Sequence, residues 1–246
     1  WTKRRGFGIL AASQAGFSNI TGWPDGQPCT SYIGYPDFIT PRFCLTALIA
    51  ALAHRRRTGK GVCIDVSQIE AALHFLAPLA LDFNVNRRET KRQGNSCSYA
   101  APHGVYRCQG HDRWCAIGVS SAEEWEAFCG VIGNPEWSRD PKFGTLLARK
   151  KNEEELNQLV EGWTLDHTAE DAMRLMQEQS VPAGVVENIK DLIEDPQLNS
   201  RNHLWWLVHP EMGSFPHMGS TIVLSKTPAT ARMASPCLGE HTEYVC

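Results

Sequence analysis

The stretch GYPDFITPRFCLTALIAALAHRRRTGKG, residues 34–61, carries the clearest helix signal and decides the fold class of the first part of the chain. Thr40 suits an N-cap, and Pro41 suits the first helical turn, where its missing N–H is not needed. Apolar residues recur at helical spacing until three arginines and Gly59 end the pattern. They are Cys44, Leu45, Leu48, Ile49 and Leu52. The stretch predicts a helix from about residue 40, with Asp37 three residues ahead of its cap.

Asp37 stands where a negative charge is favoured, because the unpaired N–H groups and the dipole of the following helix point towards it. A carboxylate in this position is a weak but usable nucleophile. The position also suits a cap or a turn residue, or the binding of a phosphate or a developing oxyanion by the helix start. Spacing alone leaves these interpretations open.

The residues that follow predict a strand and a second helix. Residues 62–66, VCIDV, form a short β-rich run. Ser67 and Glu70 then form a capping box that opens a helix through Leu73 and Leu76. Helix, strand and helix in this order are an α/β pattern, which predicts a parallel sheet layer.

Residues 82–101 lose this periodicity, and their polar, basic, turn-rich composition predicts a linker and loop between two domains. Beyond the linker, residues 105–108 and 114–119 flank QGHD and predict a hairpin. Ser121 with Glu124 predicts a capped helix. A different type of domain therefore begins after residue 101.

Two more helices are expected at 152–163 and 168–180, the second capped by Thr168. The segment SVPAGVV, residues 180–186, interrupts the helical pattern. The tail contains a short strand-like piece at 222–224. Strands followed by helices predict a compact α+β module of about a hundred residues.

Composition and charge exclude several classes of protein. The net charge of −3 provides no global field for nucleic acid, so the basic runs at 3–5 and 55–57 are only candidate anion contacts. The longest apolar run, 45–53, is too short for a membrane span, and we expect a cytoplasmic protein with neither a membrane nor a nucleic-acid partner. Nine cysteines without a C-x-x-C pair predict buried thiols and no metal site.

Several motifs lie in register along nearly the whole chain. They are GFSNITGWPDGQP, Asp37, ALAHRRRTGKGVCIDVSQIEAAL, RQGNSCSYAAPHGVYRCQG, NPEWSRDPKFGT, SVPAGVV, EDPQL and SPCLGEHTEYV. In this combination the sequence resembles the family III CoA-transferases, a group that includes formyl-CoA transferase, carnitine CoA-transferase and the methylacyl-CoA racemases.

The resemblance implies an α/β fold with a partial Rossmann-like, CoA-binding large domain and a smaller α+β domain. Residues 1–81 would be the C-terminal part of the large domain, and 82–101 the linker and active-site loop. Residues 102–200 would form the small domain, and 201–246 a return segment packing on the large domain. The family also implies two subunits that interlock like chain links.

For Asp37 the resemblance implies covalent catalysis. The matching aspartate attacks an acyl-CoA thioester, forms an enzyme-bound acyl anhydride, and passes through an aspartyl-CoA thioester. Coenzyme A thioester is then a substrate, and no permanently bound cofactor is expected.

The resemblance leaves two alternatives. Racemase relatives pair this aspartate with a histidine in a G-H-D-type segment, and here Phe7 occupies that place in GFGILAASQAG. Because phenylalanine can neither donate nor accept a proton, a transferase is favoured over a racemase or isomerase. The other alternative is a catalytically silent CoA-binding subunit of a heteromer.

Substrate contacts are expected from the loop that begins the small domain. The residues assigned to the substrate or CoA are Arg92, Asn95, Ser96 and Tyr99, with Arg87 and Arg88 as further anion contacts. NSCSYAAP, residues 95–102, lacks the glycines of the formyl-CoA transferase branch, which suggests a substrate other than formate or oxalate. Together with the aromatic and apolar context of the loop, this favours an aromatic or branched dicarboxylic acid.

The family's opening strand–turn–helix has no counterpart in the sequence, which starts at Trp1. We therefore expect that the chain is part of a longer polypeptide or that a partner chain supplies that half. The expected assembly is an interlocked homodimer or a heteromer, and activity is expected to need the N-terminal portion.

Overall fold

The computed structural model describes residues 5–30 and 33–246. Residues 3 and 4 of the basic run at 3–5 lie outside this part of the chain. The N-terminal part is helical, and its five α-helices precede the first strand. They are α1 (Gly8–Gln14), α2 (Phe17–Ile20), α3 (Tyr35–Thr58), α4 (Gln68–Leu73) and α5 (Ala77–Asn86), with a 3-10 turn at His74–Leu76.

Helix α3 begins at Tyr35, earlier than the sequence predicts, and the expected cap at Thr40 is wrong. Pro36 lies at the start of the helix and supplies a φ angle suited to it. Thr40 lies inside the helix, and its buried hydroxyl has no partner within the described residues. Asp37 therefore lies within the first helical turn and not ahead of the helix.

Pro41 lies in the interior of α3, not in its first turn. A proline has no N–H to donate, so the carbonyl of Asp37, four residues earlier, lacks its usual helical partner. The predicted end of the helix is confirmed. Gly59 is left-handed, and its amide donates to the carbonyl of Arg55 at 2.8 Å.

The strand predicted at 62–66 is wrong, because these residues form no ladder with another strand. A strand is stable only when a neighbour pairs with its backbone groups, and the residues described here provide none beside 62–66. The predicted parallel layer is likewise not observed within residues 5–30 and 33–246, where the paired strands are antiparallel. The N-cap predicted at Ser67 is confirmed, since its Oγ accepts from the Glu70 amide at 3.3 Å.

The N-terminal helices pack through small side chains. Ala11 and Ala12 of α1 and Ala71 and Ala72 of α4 are buried, and Ile39 of α3 is buried with them. Small residues let the helix backbones approach closely, which brings the starts of α1, α3 and α4 together. This packing positions the candidate site described below.

The middle of α3 presents an apolar face that the described residues do not cover. Leu45, Leu48, Ile49 and Leu52 are exposed. By length and composition alone, α3 could also cross a membrane, but the core helix of a soluble protein meets the same criterion. In the described part of the chain, the apolar pattern that predicts a helix here marks a surface and not a core.

A second module contains the main hydrophobic core. Its elements are β1 (His103–Arg107), β2 (Trp114–Gly118), α6 (Ala122–Val131), α7 (Leu146–Lys151), α8 (Glu153–Thr164), α9 (Ala169–Glu178), β3 (Ala183–Val185), α10 (Ile189–Glu194) and α11 (Pro196–Ser200). The strands form one antiparallel sheet in the order β1-β2-β3, with Val105 opposite Ala116. The helices cover this sheet with fully buried side chains, among them Phe128, Phe143, Leu156, Val160 and Met176.

Local signals predict this module well. The hairpin is confirmed as β1 and β2, and the capping box of Ser121 and Glu124 is present in full. Thr168 caps α9 by accepting from the Asp171 amide at 3.0 Å. Strand β3 lies within 180–186, which the sequence identifies only as an interruption.

The remaining elements form a hairpin and a short terminal helix. Strands β4 (Leu204–His209) and β5 (Gly213–Met218) pair antiparallel, and α12 spans Thr242–Val245. The strand-like piece predicted at 222–224 is wrong, because these residues lie beyond the hairpin and pair with no strand. Helix α5 extends to Asn86, so it occupies the first residues of the segment expected as a linker.

Candidate active site

Asp37 presents an exposed carboxylate from the first turn of α3. The backbone N–H groups of this turn have no helical carbonyl to pair with, so they favour a nearby negative charge. The Asp37 amide itself donates to the carbonyl of Gly34 at 2.8 Å. Within residues 5–30 and 33–246, the carboxylate makes no ion pair. Its charge is therefore not neutralised by a cationic side chain of the described chain.

One oxygen of this carboxylate lies against two glycine backbones. A β-carbon on Gly8 would overlap Oδ2 of Asp37, and a β-carbon on Gly34 would lie 2.5 Å from the same oxygen. Neither glycine has a left-handed φ angle, so the requirement at both positions is for space and not for an unusual conformation. The start of α1 and the residue before α3 together form a tight seat for Oδ2.

The other oxygen is held by a neutral amide. Nε2 of Gln68 donates to Oδ1 of Asp37 at 2.7 Å. A carboxylate can only accept, so Gln68 must present its NH2 group to Asp37 and not its carbonyl oxygen. Gln68 is the first residue of α4, and the Ser67 cap fixes the start of that helix. Sequence reasoning missed this residue, because no periodicity or spacing marks a contact between residues so far apart in the chain.

A cavity of about 300 Å³ is lined by Gln68, although Asp37 itself does not line it. Gln68 lines it and also contacts Asp37, so one side chain connects the cavity to the carboxylate. The cavity lies between the start of α1 and the start of α4. Its other lining residues include Arg5, Phe7, Leu10, Ala11 and Ile69. In this arrangement Gln68 links an exposed carboxylate to a cavity with a mixed apolar and cationic lining.

Aromatic rings flank the same region. The rings of Phe17 and Tyr35 lie 5.2 Å apart, and Tyr35 meets Phe75 edge-on at 6.3 Å. Phe7, which the resemblance aligns with the racemase histidine, lines the cavity and is 67% exposed. The side chain that lines the cavity at the position aligned with the racemase histidine is therefore an aromatic ring without an ionisable group.

The predicted loop residues Asn95 and Ser96 line a different cavity, of about 640 Å³. Ser96 Oγ donates to Glu153 at 2.9 Å and accepts from Lys150 Nζ at 2.8 Å. The carbonyl of Asn95 meets Nδ1 of His103 at 2.6 Å. Within the described residues, no hydrogen bond joins either residue to Asp37.

Arg92 and Tyr99 are placed differently from these two residues. The guanidinium of Arg92 donates to the carbonyls of Asn19 and Gly26, at 3.0 and 3.1 Å, and so connects the loop to α2 and to the segment that follows it. Tyr99 is 69% exposed and does not line the cavity. Asn95 and Ser96 therefore line the same cavity, and neither Arg92 nor Tyr99 lines it.

The two other arginines proposed as anion contacts remain near the end of α5. Arg87 lies over the ring of Phe83, with 5.9 Å between its guanidinium carbon and the ring centroid. Arg88 pairs with Asp82 at 3.6 Å and is largely exposed. Of the basic run at 3–5, Arg5 lies within the described residues and lines the cavity beside Asp37.

Comparison with known proteins relates this geometry to a family. The model of CoA-transferase family III matches residues 1–242. Succinyl-CoA–D-citramalate CoA-transferase from Chloroflexus aurantiacus is 28% identical over 242 residues, or 98% of this chain and 60% of that protein. The beta subunit of succinyl-CoA–L-malate CoA-transferase from the same organism is 26% identical over 245 residues, again 98% and 60%.

A solved structure agrees with these relatives. The crystal structure of a CAIB/BAIF family protein from Brucella suis has a TM-score of 0.88 at 25% identity and covers 99% of this chain and 62% of that chain. The predicted mixed α/β class is thus confirmed. The chain spans about 60% of the length of these curated relatives. With a family match over almost all of its residues, the chain belongs to CoA-transferase family III.

Proposed function

We propose that the protein containing this chain is an acyl-CoA:carboxylate CoA-transferase whose nucleophile is Asp37. The observation that carries this proposal is an exposed carboxylate, held by the neutral amide of Gln68, which itself lines a cavity of about 300 Å³. A carboxylate paired with a cation would be a poorer nucleophile. Family membership supports the reaction type.

In the first step, an oxygen of Asp37 attacks the carbonyl carbon of the acyl-CoA thioester. The carbon–sulfur bond breaks, CoA leaves as a thiolate, and a mixed anhydride joins the acyl group to Asp37. The thiolate then attacks the Asp37 carbonyl carbon of the anhydride. The donor acid leaves as its carboxylate, and an aspartyl-CoA thioester remains.

The second half of the reaction reverses these steps with another acid. The acceptor carboxylate attacks the aspartyl thioester, the CoA thiolate leaves again, and a new anhydride forms. The thiolate then attacks the acceptor's acyl carbon and releases the new acyl-CoA and free Asp37. Each step exchanges one activated acyl compound for another, so no external energy source is needed.

For substrates, we propose short dicarboxylic acids. The names of the two Chloroflexus relatives contain succinyl-CoA, citramalate and malate, all derived from dicarboxylic acids. The volume of the cavity beside Asp37 suits a small acyl group. It is about 300 Å³, at the lower limit of ligand pockets, which span about 300–1,000 Å³.

The remaining parts of the proposal concern what completes the site. We propose that the exposed apolar face of α3 packs against the part of the family fold that this chain does not span. That part would come from the same polypeptide or from a partner in an interlocked dimer, and one relative is a beta subunit. We further propose that the assembly acts on CoA thioesters in the cytoplasm.

The experiment is to trap the acylated aspartate. The complete protein is incubated with succinyl-CoA and hydroxylamine, and the peptide that contains residue 37 is examined by mass spectrometry. An aspartyl hydroxamate at Asp37 is expected, because only an activated acyl species on that side chain reacts with hydroxylamine. Asp37→Asn should remove both the hydroxamate and turnover.

Asp65→Asn is the matched control, since Asp65 is also an exposed aspartate but, within the described residues, makes no hydrogen bond to Gln68. It should leave trapping and turnover intact. Deuterium entering at the α-carbon from solvent, without a hydroxamate, would indicate a racemase or isomerase instead. An Asp37→Asn protein with unchanged turnover would identify the chain as a silent subunit and overturn the proposal.

A further inference from the structure

The cavity beside Asp37 contains a cationic side chain that forms no ion pair with another group of the described chain. Arg5 lines this cavity, and within residues 5–30 and 33–246 it makes no ion pair. The other lining side chains are apolar or neutral, among them Phe7, Leu10 and Gln68. A guanidinium without a carboxylate partner in the chain is available to an anionic ligand.

Gln68 and two apolar residues line the same cavity as Arg5. Gln68 lines the same space and donates to Asp37, so a single side chain links the cavity to the proposed reactive carboxylate. Phe7 and Leu10 provide apolar surface, which suits the methylene carbons of an acyl chain. One small cavity thus offers an apolar wall and a cation, and its lining residue Gln68 contacts the proposed nucleophile.

We propose that this cavity binds the acyl group of the substrate and that Arg5 binds the second carboxylate of a dicarboxylic acid. The proposal rests on the transferase function above and deepens it, because it assigns the selection of dicarboxylic over monocarboxylic acids to one residue. An Arg–carboxylate pair can form two parallel hydrogen bonds, which fixes the acid in orientation as well as in place. The acyl carbon would then face Asp37 while the far carboxylate faces Arg5.

The test compares two donors that differ in one terminal group. Succinyl-CoA and butyryl-CoA have the same number of acyl carbons, but only succinyl-CoA carries a free carboxylate. Turnover of both is measured with the complete protein and with Arg5→Gln and Arg5→Lys. Arg5→Gln should lower kcat/KM for succinyl-CoA by about 10–100-fold, mainly through KM, and leave butyryl-CoA little changed.

Arg5→Lys should recover part of the loss, because it restores the charge without the two-pronged geometry. Arg201→Gln, an exposed arginine at the end of α11, is the matched control and should affect neither donor. Equal losses with both donors, or no loss with either, would overturn the proposal. Hydroxamate trapping at Asp37 is measured separately. If the hydroxamate forms normally but Arg5→Gln does not discriminate between the two donors, the subsite is rejected while the transferase function is retained.

Direct binding provides a readout that does not depend on turnover. Glutarate and butyrate are titrated by calorimetry into the complete protein in its Asp37→Asn form, which cannot be acylated. Tighter binding of glutarate that is lost in the Arg5→Gln, Asp37→Asn double variant supports the subsite. Equal affinities for the two acids in the Asp37→Asn protein contradict it.

Discussion

Gln68 donates a 2.7 Å hydrogen bond from Nε2 to Oδ1 of Asp37, so the first residue of α4 holds the carboxylate in the first turn of α3. The donor is a neutral amide and leaves the negative charge on the aspartate. A lysine or arginine in its place would form an ion pair and reduce the attacking power of the oxygen. The contact orients the carboxylate while leaving its charge available.

We therefore expect Gln68→Leu, which removes the donor but retains an apolar side chain, to slow the acylation of Asp37. A hydrogen bond to a charged group contributes about 1.5–3 kcal/mol, so the rate should fall by about 10–100-fold. The measurement is the single-turnover release of CoA from succinyl-CoA, with KM determined in parallel. A positioning role predicts that the loss lies mainly in the rate and not in KM.

The control for this variant is Gln197→Leu. Gln197 is likewise a glutamine near a helix start, at the second position of α11, but it is exposed and distant in sequence from Asp37, and it should give the parent rate. Gln68→Glu should be slower than Gln68→Leu at neutral pH, because two carboxylates would then repel each other. Gln68→Leu with the same acylation rate as Gln197→Leu would show that the hydrogen bond has no part in the reaction.

A second prediction concerns the seat of Oδ2. Gly8→Ala would place a β-carbon in the space of this oxygen, so the carboxylate must move. We expect loss of most acylation, together with a destabilisation of about 1–3 kcal/mol from overpacking. Gly61→Ala is the matched control, since nothing lies within 4 Å of its β-carbon position. If Gly8→Ala acylates Asp37 at the parent rate, the tight seat is not needed for the reaction.

These two predictions involve contacts that the sequence did not reveal. Caps such as Ser121 and Thr168 are predicted correctly because the donor and acceptor lie within one helical turn. The seat of Asp37 combines Gly8, Gly34 and Gln68, which only tertiary packing brings together. No local periodicity records such a contact.

The errors in the N-terminal part have related causes. A proline near a helix start suggests the first turn, and α3 contains two candidates, Pro36 and Pro41. The sequence pattern favours Pro41 for this position, although the helix begins beside Pro36. Residues 62–66 have β propensity, but a strand needs a neighbour, and the described residues supply none. Asp37 itself was found because the family resemblance added information that spacing did not contain.

A third prediction concerns the stability of the small module. Arg149 is only 2% exposed, and it donates to the carbonyls of Ala101 at 2.6 Å and Phe143 at 3.2 Å. Its guanidinium carbon also lies 4.4 Å from the ring centroid of Trp125. Burial lowers the pKa of Arg149, because desolvation disfavours its charge. Arg149 thus connects the chain just ahead of β1 to α6 and to the 3-10 turn Pro141–Phe143.

Arg149→Met should lower the free energy of unfolding by about 2–4 kcal/mol, because two buried carbonyls lose their donor. The measurement is urea denaturation of the complete protein, followed by tryptophan fluorescence. Lys151→Met, at an exposed position of the same helix, is the control and should change stability little. Equal denaturation midpoints for the two variants would show that Arg149 contributes no more than a surface residue.

The last prediction is a pH dependence that arises at Asp191. Its carboxylate accepts from the Asn188 amide at 3.0 Å and from Arg113 at 2.5 Å, and these contacts, with the amide first, lower its pKa. Between the lowered folded pKa and the unfolded pKa of about 3.9, the unfolded chain binds more protons. The stabilisation is therefore fully present above about pH 4 and is lost as the pH falls through the folded pKa.

Asp191→Asn removes the titrating group, so it should be less stable than the parent at pH 7 and should lose less thermal stability between pH 7 and pH 3. The measurement is the midpoint of thermal unfolding followed by circular dichroism across this range. Asp166→Asn, at an exposed position outside these contacts, should follow the parent curve. Because Asp191 pairs with Arg113 near the surface, the difference should also shrink at high salt. Parallel curves for Asp191→Asn and the parent would mean that acid destabilisation begins at another carboxylate.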